Sequence, residues 1–174
     1  MDYLVSITSE SLHQQPSKED TVISTAPFVA QRDEQDSSPW QMLASGPATG
    51  GVASFGEARL PPHTSGPGLH VHTREDEATY VISGVMTFVV GGNRFEAGPG
   101  QLVWLPRDVP HVFANLGDEP VWALGVIAPA GLEAMFVEQA NYVASLGGRP
   151  PDPERVAEIA AAYGLRSLGP PLEV

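Results

Sequence analysis

The chain of 174 residues contains no cysteine. That excludes disulfides, thiolate nucleophiles, cysteine-based zinc sites and iron–sulfur clusters together. Lysine occurs once, at Lys18, which argues against Schiff-base chemistry and against a P-loop. Positive charge is scarce: Lys plus Arg number 9 against 21 Asp plus Glu, a formal net charge of −12. A surface of that sign repels nucleic-acid backbones and anionic membrane faces. There is no apolar run of the ~18 residues that a spanning helix needs. The first residues also lack a basic stretch followed by an apolar one, the pattern of a secretory leader. A cytoplasmic location is the expectation.

Glycine (18) and proline (17) are plentiful, about a fifth of the chain. They interrupt helices and imply many turns. A hydrophobic content of 42% is enough for one folded core at single-domain length. The text falls into three zones. Residues 1–36 are polar and aperiodic and read as an arm, with short strands expected at 3–7 and 21–26. Residues 37–129 carry short apolar or alternating runs separated by turn residues, the pattern of an all-β sandwich or barrel. Candidate strands are 40–44, 52–60, 69–73, 78–82, 85–90, 93–96, 101–105, 110–115 and 121–127. Ser83-Gly84 and Gly91-Gly92 are expected hairpin turns.

In residues 130–174 the period becomes helical. Leu132, Met135, Phe136, Ala140 and Val143 form one apolar stripe. A second helix has Asp152 as N-cap, Pro153 at its first position and Gly164 just past its end. Its stripe is Val156, Ile159, Ala160 and Tyr163. These stripes are expected to cover the barrel or to build a dimer contact, and together with the long arm they lead to the expectation of a homodimer with an isologous interface.

The chemistry rests on the histidines. His13 lies in the polar arm, and His63 follows Pro61-Pro62 in a loop; neither has an obvious partner. His70 and His72 are two apart in an expected strand, so both imidazoles point to one face and can converge on one metal ion. Glu77 opens the next strand after a short acidic turn, and can bring its carboxylate back to that pair. Taken alone, Glu75-Asp76-Glu77 reads as a solvated acidic loop. His111 stands singly on a later strand, a position that suits a core or edge residue as well as a ligand.

Together these residues resemble the cupin superfamily. Its first motif, G-x5-H-x-H-x3,4-E-x6-G, is matched by His70, His72, Glu77 and Gly84, with Thr64 in place of the leading glycine and Gly66 and Gly68 close by. Its second, G-x5-P-x-G-x2-H-x3-N, is matched by Gly100, Pro106, His111 and Asn115, with Asp108 where glycine is usual. The tail is similar to that of small bacterial quercetin 2,3-dioxygenase-like cupins in Ala130-Gly131-Leu132-Glu133, Tyr163-Gly164-Leu165 and Gly169-Pro170-Pro171. The resemblance implies a double-stranded β-helix, a jelly-roll barrel over 37–129, followed by a helical extension. It also implies one divalent transition metal (Fe, Mn, Co, Ni, Cu or Zn) held by His70, His72, Glu77 and His111.

Three imidazoles and one carboxylate leave net positive charge on such an ion and open positions around it. The leading expectation is a dioxygenase that cleaves an enolic or phenolic, flavonol-like substrate, with dioxygen as co-substrate and Glu77 as both ligand and base. The alternatives are a non-redox isomerase, cyclase or decarboxylase, and a non-enzymatic metal- or ligand-binding protein. Phe88, Trp104, Phe113, Trp122 and Met42 are expected on strands around the metal, most of them as plain barrel core and a subset lining an apolar pocket; the parity of all but Phe113 depends on the register. Phe113 shares the parity of His111 and should face the same interior. Arg59 and Arg94 are expected at the surface.

Overall fold

A computed structural model describes residues 26–174. His13 and the expected strand at 3–7 lie outside the described residues, as does the strand at 21–26 save its last position. Along the chain, β1 (Trp40–Ala44), a one-turn helix α1 (Gly46–Thr49), β2 (Ser54–Leu60), β3 (Thr64–Ser65) and β4 (His70–His72) come first. Then follow β5 (Asp76–Ser83), β6 (Met86–Val90), β7 (Asn93–Ala97), β8 (Leu102–Leu105), β9 (His111–Asn115) and β10 (Val121–Ala128). The chain closes with α2 (Glu133–Ser145), α3 (Pro153–Ala162) and β11 (Leu165–Ser167). All nine strands expected between residues 40 and 127 are present. The two-residue β3 and three-residue β11 were not foreseen, because so short a strand shows no alternation to read.

Two sheets face each other. One runs β1-β2-β10-β5-β8; the other runs β11-β4-β9-β6-β7, with β3 also on β9. Every pairing is antiparallel. Between the sheets lie Leu60, Val81, Met86, Phe88, Leu105, Val121 and Ala123, each nearly or fully buried. This is a jelly-roll barrel of the double-stranded β-helix type, with a helical part at its C-terminal end.

The two expected hairpin turns differ. Gly91-Gly92 joins β6 to β7 with Val90 opposite Asn93, and both glycines have positive φ (56° and 83°), as a type I′ turn requires. Ser83-Gly84 is not a hairpin turn. β5 pairs with β10 and β8 while β6 pairs with β9 and β7, so this turn carries the chain from one sheet to the other. A Cβ on Gly84 would lie 2.5 Å from the Pro120 carbonyl oxygen, so the crossing needs glycine.

The C-terminal extension folds back on the barrel of its own chain. Leu132, Met135, Ile159 and Ala160 from its stripes pack with Ile127 of β10. Asp152 caps α3 by accepting the Glu154 N–H at 3.0 Å. The Glu133 carboxylate, at the start of α2, accepts from the Gly46 N–H (2.6 Å), the Ser54 hydroxyl (2.7 Å) and the Gly131 N–H (2.8 Å). These bonds fix the extension against α1 and β2. β11 then adds to the free edge of β4, opposite His70–His72. Before β1, the buried Arg32 guanidinium bonds to the carbonyls of Asp36 and Ser38 and faces Glu57 at 4.0 Å, so this part of the arm lies on the chain's own barrel. Among the described residues no helix is long and apolar enough to cross a membrane.

Candidate metal centre

Strand pairing brings the expected site together. His70 and His72 stand on β4, and His111 on β9 lies directly opposite His70. Glu77 reaches in from β5 of the other sheet, so the site bridges the two layers. One donor atom from each of His70, His72, Glu77 and His111 lies within 4.8 Å of all the others. The imidazole rings are 4.5 to 5.4 Å apart between centroids. His63 is elsewhere: it has φ of 50° and meets the exposed Asp118 at 3.0 Å.

Local structure sets the tautomers. The Nδ1 of His70 is 2.7 Å from the Gly68 carbonyl and that of His111 is 3.0 Å from the Val109 carbonyl. A carbonyl only accepts, so each Nδ1 carries the proton and each Nε2 keeps a free lone pair. Two motif departures are absorbed by backbone geometry. Asp108, in place of glycine, adopts φ of 62° and donates its N–H to the His72 carbonyl at 2.7 Å. Thr64 simply pairs with Asn115 in β3.

Polar satisfaction tests whether the residues fit an ion. His72 Nε2 is 3.0 Å from one Glu77 oxygen and His111 Nε2 is 3.7 Å from the other. Yet both Nε2 atoms are buried without a hydrogen bond. Buried polar atoms are rarely left so. Lone pairs that converge on one point without bonding each other are what a shared cation satisfies, and imidazole plus carboxylate suits a divalent transition metal.

The charges agree with this. Burial, and then the neighbouring His111, lowers the His70 pKa to about 4. Burial also lowers that of His111. For His72 burial acts the same way, but the Glu77 and Glu75 carboxylates outweigh it and raise the pKa. For Glu77 burial favours the neutral acid, but His72, His111 and His70 outweigh it, and the carboxyl sits below its usual range. Two imidazoles are therefore neutral near pH 7, and the carboxylate is ionised.

A cavity of about 290 Å³ opens beside His70, His72 and Glu77. Its walls are mainly apolar: Trp40, Leu60, Met86 and Phe113 from the barrel, with Leu132, Met135, Phe136, Val156 and Leu165 from the extension. Thr79, Gln139 and Ser167 add polar groups, and among the described residues no lysine or arginine takes part. The Trp40 indole occupies space left by two glycines paired across β2 and β10: a Cβ would lie 2.0 Å from the ring at Gly56 and 2.6 Å at Gly125.

Phe113 faces the interior, as its parity predicts. The other proposed aromatic neighbours do not line the cavity. Phe88 is fully buried in the core further along the barrel. Trp104 and Trp122 are 54% and 39% exposed, because they occupy outward positions of β8 and β10. Met42 is likewise absent from the walls. Arg59 is at the surface, paired with Glu34 and Glu57 and stacked 5.5 Å from the Trp122 ring; Arg94 is exposed. Sequence reasoning missed Trp40, although glycines inside strands at 56 and 125 signal a close approach. It also missed Glu75, which is 5% exposed and lies behind His72.

Residues 56–127 match the sequence model of the Cupin domain. The barrel has the cupin fold. Among solved structures, a Cupin 2 conserved barrel domain protein from Salinispora arenicola CNS-205 superposes with TM-score 0.51 and 21% identity, over 66% of this chain and 98% of that one. KdgF from Halomonas sp. gives TM-score 0.50 and 19% identity over 59% and 91%. Both likenesses concern the cupin fold alone. A protein assigned as a sugar phosphate isomerase, from Acidithiobacillus ferrooxidans ATCC 23270, matches at TM-score 0.42 and 26% identity over 44% of this chain. The match spans 50%, half the length, of that protein. No curated protein sequence matches the chain significantly.

Proposed function

We propose that this cupin is a metal-dependent dioxygenase whose substrate is a small, apolar, aromatic molecule with an enolic or phenolic hydroxyl. The observation that carries this reading is the combination of an ionised carboxylate and three imidazoles with an adjoining apolar cavity that, among the described residues, is free of cationic side chains. A phosphorylated or multiply anionic substrate would need lysine or arginine in those walls. A neutral ring system needs what is there, aromatic and aliphatic surface.

His70, His72, Glu77 and His111 would hold the ion, which when bound supplies Lewis acidity and redox chemistry. The protein's own part is positioning and proton transfer. Trp40 and Phe113 flank the substrate rings, and the walls contributed by α2 and α3 exclude water from the reacting end. A Glu77 oxygen accepts the hydroxyl proton of the substrate, a role open to it because it is ionised at neutral pH.

The test is oxygen uptake with flavonols and simpler enols, on protein reconstituted separately with iron, manganese, cobalt, nickel and copper. Wild type should consume oxygen with at least one pairing. Glu77→Gln keeps the shape and an oxygen donor but removes the base, so kcat should fall by ~100-fold or more while substrate binding changes less. Turnover of an enol without oxygen uptake would replace this reading with a non-redox isomerase, cyclase or decarboxylase.

A further inference from the structure

We infer that Glu75 is a positioning residue of the metal centre: its carboxylate accepts the Nδ1–H of His72 and so aims the Nε2 of that imidazole at the ion. The inference rests on the four-residue metal site and is independent of the reaction catalysed there.

The argument starts from an asymmetry among the three imidazoles. His70 and His111 each have Nδ1 anchored by a backbone carbonyl, of Gly68 and Val109. His72 has no such carbonyl. What faces its Nδ1 instead is Glu75 Oε2, at 3.7 Å. Both atoms are buried, and neither has a hydrogen-bond partner. Burying a carboxylate oxygen or an imidazole N–H alone is unfavourable, so two such atoms facing each other complete one unmade bond. The separation exceeds a hydrogen bond by about 0.5 Å or more, a gap that a small rotation of either side chain closes.

Glu75 has no other evident task at the centre. It is not among the four converging donors, and it does not line the cavity. When Nε2 ligates a cation, the remaining proton must sit on Nδ1 and becomes more acidic, so a carboxylate there gains as an acceptor. A carboxylate behind a ligating imidazole fixes the ring and makes it a better donor to the metal. The chain reaches this geometry because the turn after β4 points Glu75 inward while Asp76 turns out to meet Arg107 at 2.7 Å.

The experiment measures Zn(II) affinity at one fixed pH, by competition with a chromophoric chelator, for wild type, Glu75→Leu and Glu75→Gln. Glu75→Leu keeps a buried side chain of similar size without an acceptor and should weaken Zn(II) binding by about 10- to 100-fold. Glu75→Gln retains an acceptor oxygen and should recover part of that loss. Unchanged affinity in Glu75→Leu overturns the inference. Equal losses in both variants, with equally lowered thermal midpoints of the chelator-treated proteins, overturn it in favour of a packing role. If Glu75→Leu does not fold, histidine-selective nitrogen NMR of Zn(II)-loaded wild type decides. A downfield, slowly exchanging His72 Nδ1 proton that shifts in Glu75→Gln is the expected result; an Nδ1 without a proton, or a proton indifferent to Glu75→Gln, overturns it. Wild type that binds no Zn(II) at all would remove the metal site itself, a failure distinct from these.

Discussion

The two ends of the barrel are built from the same strands and differ in what they place inside. Along β5 the interior positions read Glu77, Thr79, Val81, from the cavity inward to a fully buried valine. Along β9 they read His111, Phe113, Asn115. Away from the metal site Phe88, Val81, Ala97 and Val121 fill the space, and Asn115 donates to the carbonyls of Leu60, Pro61 and Glu119 while accepting from the Gly117 N–H. At the open end buried nitrogen and oxygen atoms lack partners and a cavity remains. One end satisfies its groups internally and supplies stability. The other leaves donors and space that an ion and a ligand could satisfy, an arrangement that costs stability there.

That contrast can be broken by exchanging which end is damaged. His111→Ala removes one of four donors and should reduce metal affinity by on the order of 100-fold or more, with little change in the thermal midpoint of chelator-treated protein. Chelator competition and calorimetry on the same sample check both halves. Phe88→Ala at the closed end should do the reverse: about 3–5 kcal/mol of destabilisation in denaturant unfolding, with metal stoichiometry of the folded fraction unchanged. If Phe88→Ala abolished metal binding in folded protein, the two ends would not be separable.

Acid sharpens the comparison. The His72 pKa is raised, so as pH falls its proton competes with the metal from above pH ~6.5, the ordinary histidine value. Affinity should then drop by about tenfold per pH unit, and more steeply toward pH 4, where His70 also gains a proton. For stability without metal, His70 works in one direction: its lowered pKa stabilises the fold above the unfolded value and that stability is lost as pH falls from ~6.5 toward 4. A pH-independent affinity between 7 and 5 would contradict the assigned protonation of His72.

The smallest effect belongs to the residue between the two glutamates. Asp76 is bound by Arg107, first through the guanidinium and then through its backbone N–H, and its pKa is lowered to about 2. The pair is solvent-exposed, so Asp76→Asn should leave metal affinity at the wild-type value and shift the melting midpoint least of this set. A large loss of affinity would mean that Asp76 as well as Glu75 serves the centre.

How much of this could be read beforehand varies with the length scale of the signal. Strand alternation and turn glycines gave the nine central strands, and i, i+2 spacing gave the facing pair His70 and His72. The Asp152–Pro153 start and the Gly164 stop gave α3. The outward faces of Trp104 and Trp122 were not legible because parity within a strand is local, whereas which face of β8 or β10 is interior depends on their partners. Ser83-Gly84 was misread for a related reason: a tight turn fixes a reversal of the chain, not which strands then hydrogen-bond.

The sequence by itself determined the chemistry available: no thiol, one lysine, and histidines and carboxylates spaced for strands. Residue identity and short-range geometry suffice for that. Only the tertiary structure decided that Glu77 crosses from the opposite sheet and that Glu75 turns inward while Asp76 turns out. It also decided that Trp40 settles over Gly56 and Gly125 and that α2 and α3 wall the cavity. Those outcomes depend on pairing between distant segments, such as Gly125 with Gly56, 69 residues apart, and no local pattern encodes which distant surfaces meet.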